Sequence, residues 1–275
     1  MKKILLTTLA LAMLFLLAAC GGTTTPDSGN DSSSNVSDNT IHAYSPTSES
    51  PEPTAESSAE STAESSAEPE RDSAHEITYS NVAVYTNSIG TTWIQTIFEV
   101  TNTGTVDLYF SSGSYDLENQ DGSLVASRTM VSVYPNVVSP GEKAYYYEET
   151  IIDNYSGDGS DLVLLPRVSV KDAKIENIRF PVTDITISDN SYLGIKTMGR
   201  VENTSSEDES MVYIAIVFHD ENNQPIGLDF TILMDVLAAG DKIGFETTAL
   251  SLPPSVTVDS VASYEAFAYP LQFQF

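Results

Sequence analysis

The chain has 275 residues and a formal net charge of −27, from 39 acidic and 12 basic side chains. Such a surface repels the phosphates of nucleic acids and anionic lipid headgroups, so we expect no nucleic acid partner. The sequence contains one cysteine, Cys20, which excludes an intrachain disulfide and any metal site built from several thiolates.

The N-terminus has the pattern of a cleaved signal. Lys2 and Lys3 precede an uncharged apolar run over residues 4–19, which is shorter than the roughly 20 residues that a membrane-spanning helix needs. The run ends in Leu17-Ala18-Ala19-Cys20, which resembles the lipobox of bacterial lipoproteins. The resemblance implies that residues 1–19 are a signal peptide and that a lipid on Cys20 anchors the chain to the membrane. The alternative is an ordinary signal peptide with a cysteine near its end by chance.

Residues 20–75 predict a disordered acidic linker, because the segment is rich in Ser, Thr, Glu and Pro and has few large apolar residues. Its Ala-Glu-Ser repeats have a period of four, and a helix would stack Glu56, Glu60, Glu64 and Glu68 on one face, where like charges oppose helix formation. Fully extended, the segment reaches at most ~190 Å. This reach favours the extracytoplasmic face of a thick-walled, Gram-positive envelope.

From about Glu76 onward the residues alternate as in β-strands, with turns rich in Gly, Pro, Asn and Asp. The clearest strand places Val212, Ile214, Ile216 and Phe218 on one face and Tyr213, Ala215 and Val217 on the other. We therefore predict an all-β fold of antiparallel sheets.

Three landmarks of this region occur twice, about 100 residues apart. The strand end at Asn102-Thr103 recurs at Asn203-Thr204, the turn at 119–122 recurs at 221–224, and the turn at 139–142 recurs at 238–241. A repeat of this length is the size of one β-sandwich. The sequence thus predicts two tandem immunoglobulin-like β-sandwiches, domain 1 over residues 76–175 and domain 2 over residues 176–275.

The second repeat resembles the FxLyD domain family of bacterial surface proteins. The resemblance rests on four features: Gly199-x-Val201-x-Asn203, the strand leading into Phe218-His219-Asp220, Gly227, and Ala239-Gly240-Asp241-Lys242 before Phe245. The first repeat is similar to telokin-like sandwiches through Phe98-x-Val100-x-Asn102, Asp121-Gly122 and Pro140-Gly141-Glu142. Both resemblances imply a fold and a surface location, and neither implies catalytic residues.

Several residues could carry chemistry. His219 could belong to a hydrolase, but we expect a surface histidine because no Gly-x-Ser-x-Gly motif accompanies it. The loop from Asp153 to Asp161 could bind calcium, although its spacing does not match an EF-hand and an acidic turn is the simpler interpretation. The run Glu207-Asp208-Glu209 indicates a solvated turn.

Two further groups concern packing and partners. In a strand, Tyr145 and Tyr147 share a face while Tyr146 takes the other, and one face could present a ring to a glycan or peptide. Four bases fall between the repeats and predict a connector that bridges two acidic domains, with anion binding as the alternative; they are Arg167, Lys171, Lys174 and Arg179.

Taken together, these features predict a lipid-anchored surface protein that presents non-catalytic binding or assembly modules. We expect no catalytic residue, no cofactor and no metal. The expected partners are the membrane, through the lipid on Cys20, and a cell-wall polymer or extracellular protein. The alternative function is an extracellular hydrolase or a metal-dependent surface protein.

Overall fold

A computed structural model describes residues 71–87, 89–152, 155, 157–190, 194–247 and 252–274, all within one compact unit. The predicted all-β fold is confirmed, and the one helix among these residues is a 3-10 turn at Val258–Ser260. None of the described residues belongs to a helix with the length and hydropathy needed to cross a bilayer. The predicted signal peptide, Cys20 and residues 20–70 of the predicted linker lie outside the described residues.

Among the described residues, the first sandwich contains nine strands. They are β1 (His75–Thr86), β2 (Thr92–Asn102), β3 (Leu108–Phe110), β4 (Gly113–Asn119), β5 (Leu124–Tyr134), β6 (Val137–Val138), β7 (Lys143–Ile151), β8 (Leu162–Arg167) and β9 (Val170–Asp172). Six of them follow one another in the order β1-β2-β7-β5-β4-β8, and the short strands form a separate ladder in the order β6-β3-β9. All described pairings in this sandwich are antiparallel.

Strand β5 belongs to both layers of the first sandwich. Residues up to Val131 pair with β4, whereas Ser132 to Tyr134 pair with β7. Met130 has a φ of 65°, so the backbone bends there into the left-handed region that non-glycine residues seldom adopt. A strand that crosses between layers in this way makes the corner of a sandwich.

In the described part of the second sandwich there are six strands. They are β10 (Val182–Asn190), β11 (Gly194–Glu202), β12 (Val212–His219), β13 (Pro225–Leu233), β14 (Lys242–Glu246) and β15 (Ser263–Pro270). They form two three-stranded sheets, β10-β11-β14 and β13-β12-β15. These orders match β1-β2-β7 and β5-β4-β8 of the first sandwich, so the two repeats share one topology.

Each sandwich encloses its own apolar core. In the first, Phe98 of β2 stacks on Tyr146 of β7 with ring centroids 4.6 Å apart. In the second, the equivalent pair is Gly199 and Phe245. A Cβ on Gly199 would lie 2.8 Å from the Phe245 ring, so the absent side chain makes room for the aromatic one.

The repeated asparagines hold each sandwich together in the same way. The Nδ2 of Asn102 donates to the carbonyl oxygens of Val106 and Val138 at 2.8 and 2.9 Å. The Nδ2 of Asn203 donates to those of Glu207 and Leu237 at the same two distances. Both asparagines are fully buried. Asn102 links the end of β2 to the segment before β7, and Asn203 links the end of β11 to the segment before β14.

The repeated turns are also confirmed, with one shift of register. Gly141 and Gly240 have φ values of 81° and 79° and occupy equivalent turns. In the earlier hairpin, Gly122 donates its N–H to the carbonyl of Asn119, and Asn223 donates its N–H to the carbonyl of Asp220. The hairpin turn of the second repeat therefore begins at Asp220, one residue before the predicted Glu221.

Candidate interaction site at the seam between the sandwiches

A third apolar cluster joins the two sandwiches, and we call it the seam. Its buried members are Ile97, Tyr134, Tyr145 and Tyr147 from the first sandwich and Ala215, Val217, Leu228 and Tyr269 from the second. The outer face of β2 and β7 thus packs against the outer face of β13-β12-β15. The two repeats contribute non-equivalent sheets to the contact.

Strand β12 supplies both the second core and the seam. Ile214 and Ile216 point into the core of the second sandwich, whereas Ala215 and Val217 point into the seam. Successive side chains of a strand point to opposite faces, so a strand that is apolar on both faces is covered on both sides.

The three consecutive tyrosines are divided between two clusters. Tyr146 lies in the first core, and Tyr145 and Tyr147 lie in the seam, so the predicted alternation is confirmed. All three are buried. The interpretation in which one face presents a ring to a glycan or peptide is therefore wrong, because the second sandwich covers that face.

His219 lies at the end of the seam, and the prediction of a surface histidine is wrong because its side chain is 1% exposed. Its ring meets the Tyr145 ring edge-on, with centroids 6.0 Å apart. Its Nε2 is 3.8 Å from Oε1 of Glu265, which also accepts a hydrogen bond from the Tyr145 hydroxyl at 3.1 Å. Burial lowers the pKa of His219, and the charges of Glu265 and Glu99 oppose that shift.

Glu99 is the second carboxylate beside the seam, and sequence reasoning missed it. It accepts hydrogen bonds from Lys143 Nζ at 2.9 Å and from Thr78 Oγ1 at 2.6 Å. Lys143 therefore places a positive charge close to a nearly buried acid. The sequence pattern that could have identified Glu99 is the alternation of β2, which places it on the same face as Ile97.

The four bases between the repeats do not act as one connector. Arg167 pairs with Asp116 inside the first sandwich, and Lys171 and Lys174 are exposed. Of the four side chains, that of Arg179 contacts both sandwiches, because its guanidinium donates to the carbonyl of Val137 and lies 5.5 Å from the centre of the Tyr269 ring. Burial lowers the pKa of Arg179.

The C-terminal residues add polar contacts across the same boundary. Asn136 donates to the carbonyl of Gln272 at 3.0 Å, and Gln274 donates to the carbonyl of Asp172 at 2.8 Å. Next to Arg179, a groove of about 420 Å³ opens at the seam between Lys143 and Phe267. The seam is thus apolar at its centre and polar along its rim.

The acidic loops are held by hydrogen bonds of their own. The described part of the loop from Asp153 to Asp161 consists of residues 155 and 157–161; there Asp158 accepts from Ser160 and Asp161 accepts from Tyr155. In the run Glu207-Asp208-Glu209, Asp208 accepts from the backbone N–H of Ala239 at 3.0 Å. Among the described residues, no group of three His, Cys, Asp or Glu side chains is placed to hold a metal ion.

No protein-family model matches this chain, and no curated protein matches it. Among solved structures, the chain is similar to a beta-glucuronidase from glycoside hydrolase family 2, with 11% sequence identity and a TM-score of 0.18. The match covers 57% of this chain and 20% of that one, so it spans about one fifth of the enzyme. A similarity of this strength identifies no activity.

Proposed function

We propose that the chain is a bacterial lipoprotein whose two sandwiches form one rigid, non-catalytic head for binding or assembly outside the cytoplasmic membrane. The proposal combines the lipobox-like Leu17-Ala18-Ala19-Cys20, the acidic spacer that follows, and the β-sandwich fold of the head. Within it, the second sandwich is a relative of the FxLyD domains, and the partner is a wall polymer or an extracellular protein.

The proposal of a non-catalytic role is supported by one observation: the side chains that could bind a ligand or act in catalysis are buried and take part in packing. Tyr145, Tyr147 and His219, which the sequence offered for binding or catalysis, are buried where the two sandwiches meet. Glu265 is held there by the Tyr145 hydroxyl. In this proposal these side chains fix the geometry of the head, and the spacer carries the head away from the membrane.

Replacing the proposed lipidation residue tests the anchor. In cells fed a labelled fatty acid, wild-type protein should carry the label and sediment with membranes. Cys20→Ser should lose the label, and the protein should be released or remain as unprocessed precursor. Thr23→Ser, a similar change three residues away, should behave as wild type. A Cys20→Ser protein that keeps wild-type mobility and membrane fractionation would contradict the proposal.

A further inference from the structure

The two repeats differ at one sheet edge. In the first sandwich, the edge of β7 is covered, because Ser132 to Tyr134 of β5 pair with it. In the second sandwich, β14 is the last strand of its sheet among the described residues. Val131 of β5 and Thr231 of β13 occupy equivalent ladder positions, opposite Gly113 and Ile214. Beyond these positions, Ser132 to Tyr134 pair with β7, whereas Ile232 and Leu233 remain paired with β12. Among the described residues, the second repeat therefore supplies no strand that covers β14.

The hydrogen bonds of β14 show which backbone groups face this edge. Thr247 donates to the carbonyl of Thr197 at 2.9 Å, and Asn203 donates to the carbonyl of Asp241 at 2.9 Å. In an antiparallel pair, every second residue of a strand forms backbone hydrogen bonds with a given neighbouring strand. Because residues 241 and 247 bond to β11 or its ends, residues 243 and 245 bond to β11 as well. Lys242, Gly244 and Glu246 therefore direct their N–H and C=O groups toward the edge. All three are exposed.

From this edge we infer that β14 pairs with β14 of a second molecule of the chain, antiparallel and about a two-fold axis at Gly244. In that register, Lys242 of each molecule lies opposite Glu246 of the other, and the two Gly244 residues face each other. The product is a continuous six-stranded sheet. The contact is closed, because a two-fold axis joins the same surface of both molecules.

The charges on the neighbouring strand support the same register. Lys242 lies 3.9 Å from Glu202, and Glu246 lies 2.8 Å from Lys196. Pairing would place these four charges in an alternating row across the joined sheet, two from each molecule. A short, charged edge strand usually discourages pairing with other chains. In the symmetric antiparallel register, Lys242 of each molecule lies opposite Glu246 of the other.

The outer face of the joined sheet would remain polar. At the positions of the seam residues Ile97, Tyr145 and Tyr147, the second sandwich carries Met198, Gly244 and Glu246. This face therefore lacks the aromatic surface with which the first sandwich covers its neighbour. Association through the edge, by backbone hydrogen bonds, does not require that face to be buried. The inference goes beyond the proposed function and does not depend on the lipid anchor.

Disulfide trapping in the full chain tests the pairing. In a Cys20→Ser background, Gly244→Cys places the sole thiol at the proposed axis, where the directly opposed Cα atoms of a hydrogen-bonded pair are about 5.5 Å apart, within the range that a disulfide spans. A Cβ at Gly244 has its nearest neighbour at 3.8 Å, so the substitution fits the fold. Met198→Cys, on the same face one strand away, is the matched control.

Mild oxidation should convert most of the Gly244→Cys protein to a covalent dimer on a non-reducing gel and leave Met198→Cys monomeric. Adding Lys242→Glu should lower the dimer yield several-fold at low salt, and less so at high salt, because like charges then face each other. Equal yields from the Gly244→Cys and Met198→Cys proteins, or no dimer from either, would overturn the inference.

Discussion

The hydroxyl of Tyr145 donates a hydrogen bond to Glu265 at 3.1 Å, across 120 residues of sequence. Tyr145 belongs to β7 of the first sandwich, and Glu265 belongs to β15 of the second. Burial and the Glu265 charge both raise the pKa of Tyr145, so its hydroxyl keeps its proton and remains a donor. This hydrogen bond lies at the rim of the seam. The bond and the apolar residues of the seam together join the two sandwiches into one unit.

Shortening an apolar side chain in the seam should destabilise the whole head. Leu228 of β13 is fully buried between the two sandwiches, and removing a buried leucine side chain typically costs about 2–5 kcal/mol. We expect Leu228→Ala to lower the free energy of unfolding by an amount in that range, measured by urea titration.

The matched control for this change is Leu124→Ala. Leu124 begins β5 and its side chain is largely exposed, so its loss should change the stability by no more than about 0.5 kcal/mol. If the two variants lost the same stability, the seam would contribute no more than an exposed position does.

The repeated asparagines should be equally important in the two sandwiches. Replacing Asn102 or Asn203 by Ala removes a buried amide that donates to two carbonyls and accepts one backbone N–H. We expect each variant to lose roughly 2–4 kcal/mol of stability, since each of these three hydrogen bonds contributes about 0.5–1.5 kcal/mol. Asn119→Ala, in an exposed turn, is the control and should lose far less. A large loss from only one of the two buried sites would show that the repeats do not use this bond equally.

His219 should make the head less stable in acid. Its pKa in the folded protein is below the ordinary value of 6.5 because the ring is buried. As the pH falls through 6.5, the unfolded chain binds a proton that the folded chain does not, so the free energy of unfolding decreases. Stability curves of His219→Gln should lack this part of the pH dependence, whereas His75→Gln, at an exposed position, should retain it. Parallel curves for wild type and His219→Gln would contradict the expectation.

Glu149 should act in the opposite direction. It accepts a hydrogen bond from the Tyr85 hydroxyl, and burial raises its pKa from 4.5 to about 7. Between these two pKa values the folded chain holds a proton that the unfolded chain releases. The raised pKa therefore contributes its full stabilisation below pH 4.5, and this contribution is lost as the pH rises through 7. Glu149→Gln should flatten that decline in urea titrations between pH 4.5 and 7.5. Glu76→Gln, at an exposed position, should leave it unchanged, and an unflattened Glu149→Gln curve would count against the shifted pKa.

The sequence alone predicted the elements that depend on local pattern. Strand alternation, the asparagines at 102 and 203 and the glycine turns at 141 and 240 all follow from period, side-chain hydrogen bonding and φ. These features repeat because each sandwich must close its own core. They can be read within one repeat, without knowledge of the other.

The seam could not be predicted in the same way, because it depends on how two distant repeats meet. His219 is buried by Tyr145 and Glu265, which come from different sandwiches. Two signals were nevertheless present. Strand β12 is apolar on both faces, and the outer positions of β2 and β7 carry Ile97 and Tyr145 where the second repeat carries Met198 and Gly244.

The central claim is that the two sandwiches unfold as one unit, and Trp93 offers a direct test. It is the sole tryptophan of the chain and lies in β2 of the first sandwich. Ile214 is buried in the core of the second sandwich, so Ile214→Val should destabilise that core by about 0.5–1.5 kcal/mol. We predict that the urea transition followed by Trp93 fluorescence in the full chain shifts to lower urea by the corresponding amount. A Trp93 transition that does not move would show that the first sandwich unfolds independently of the second.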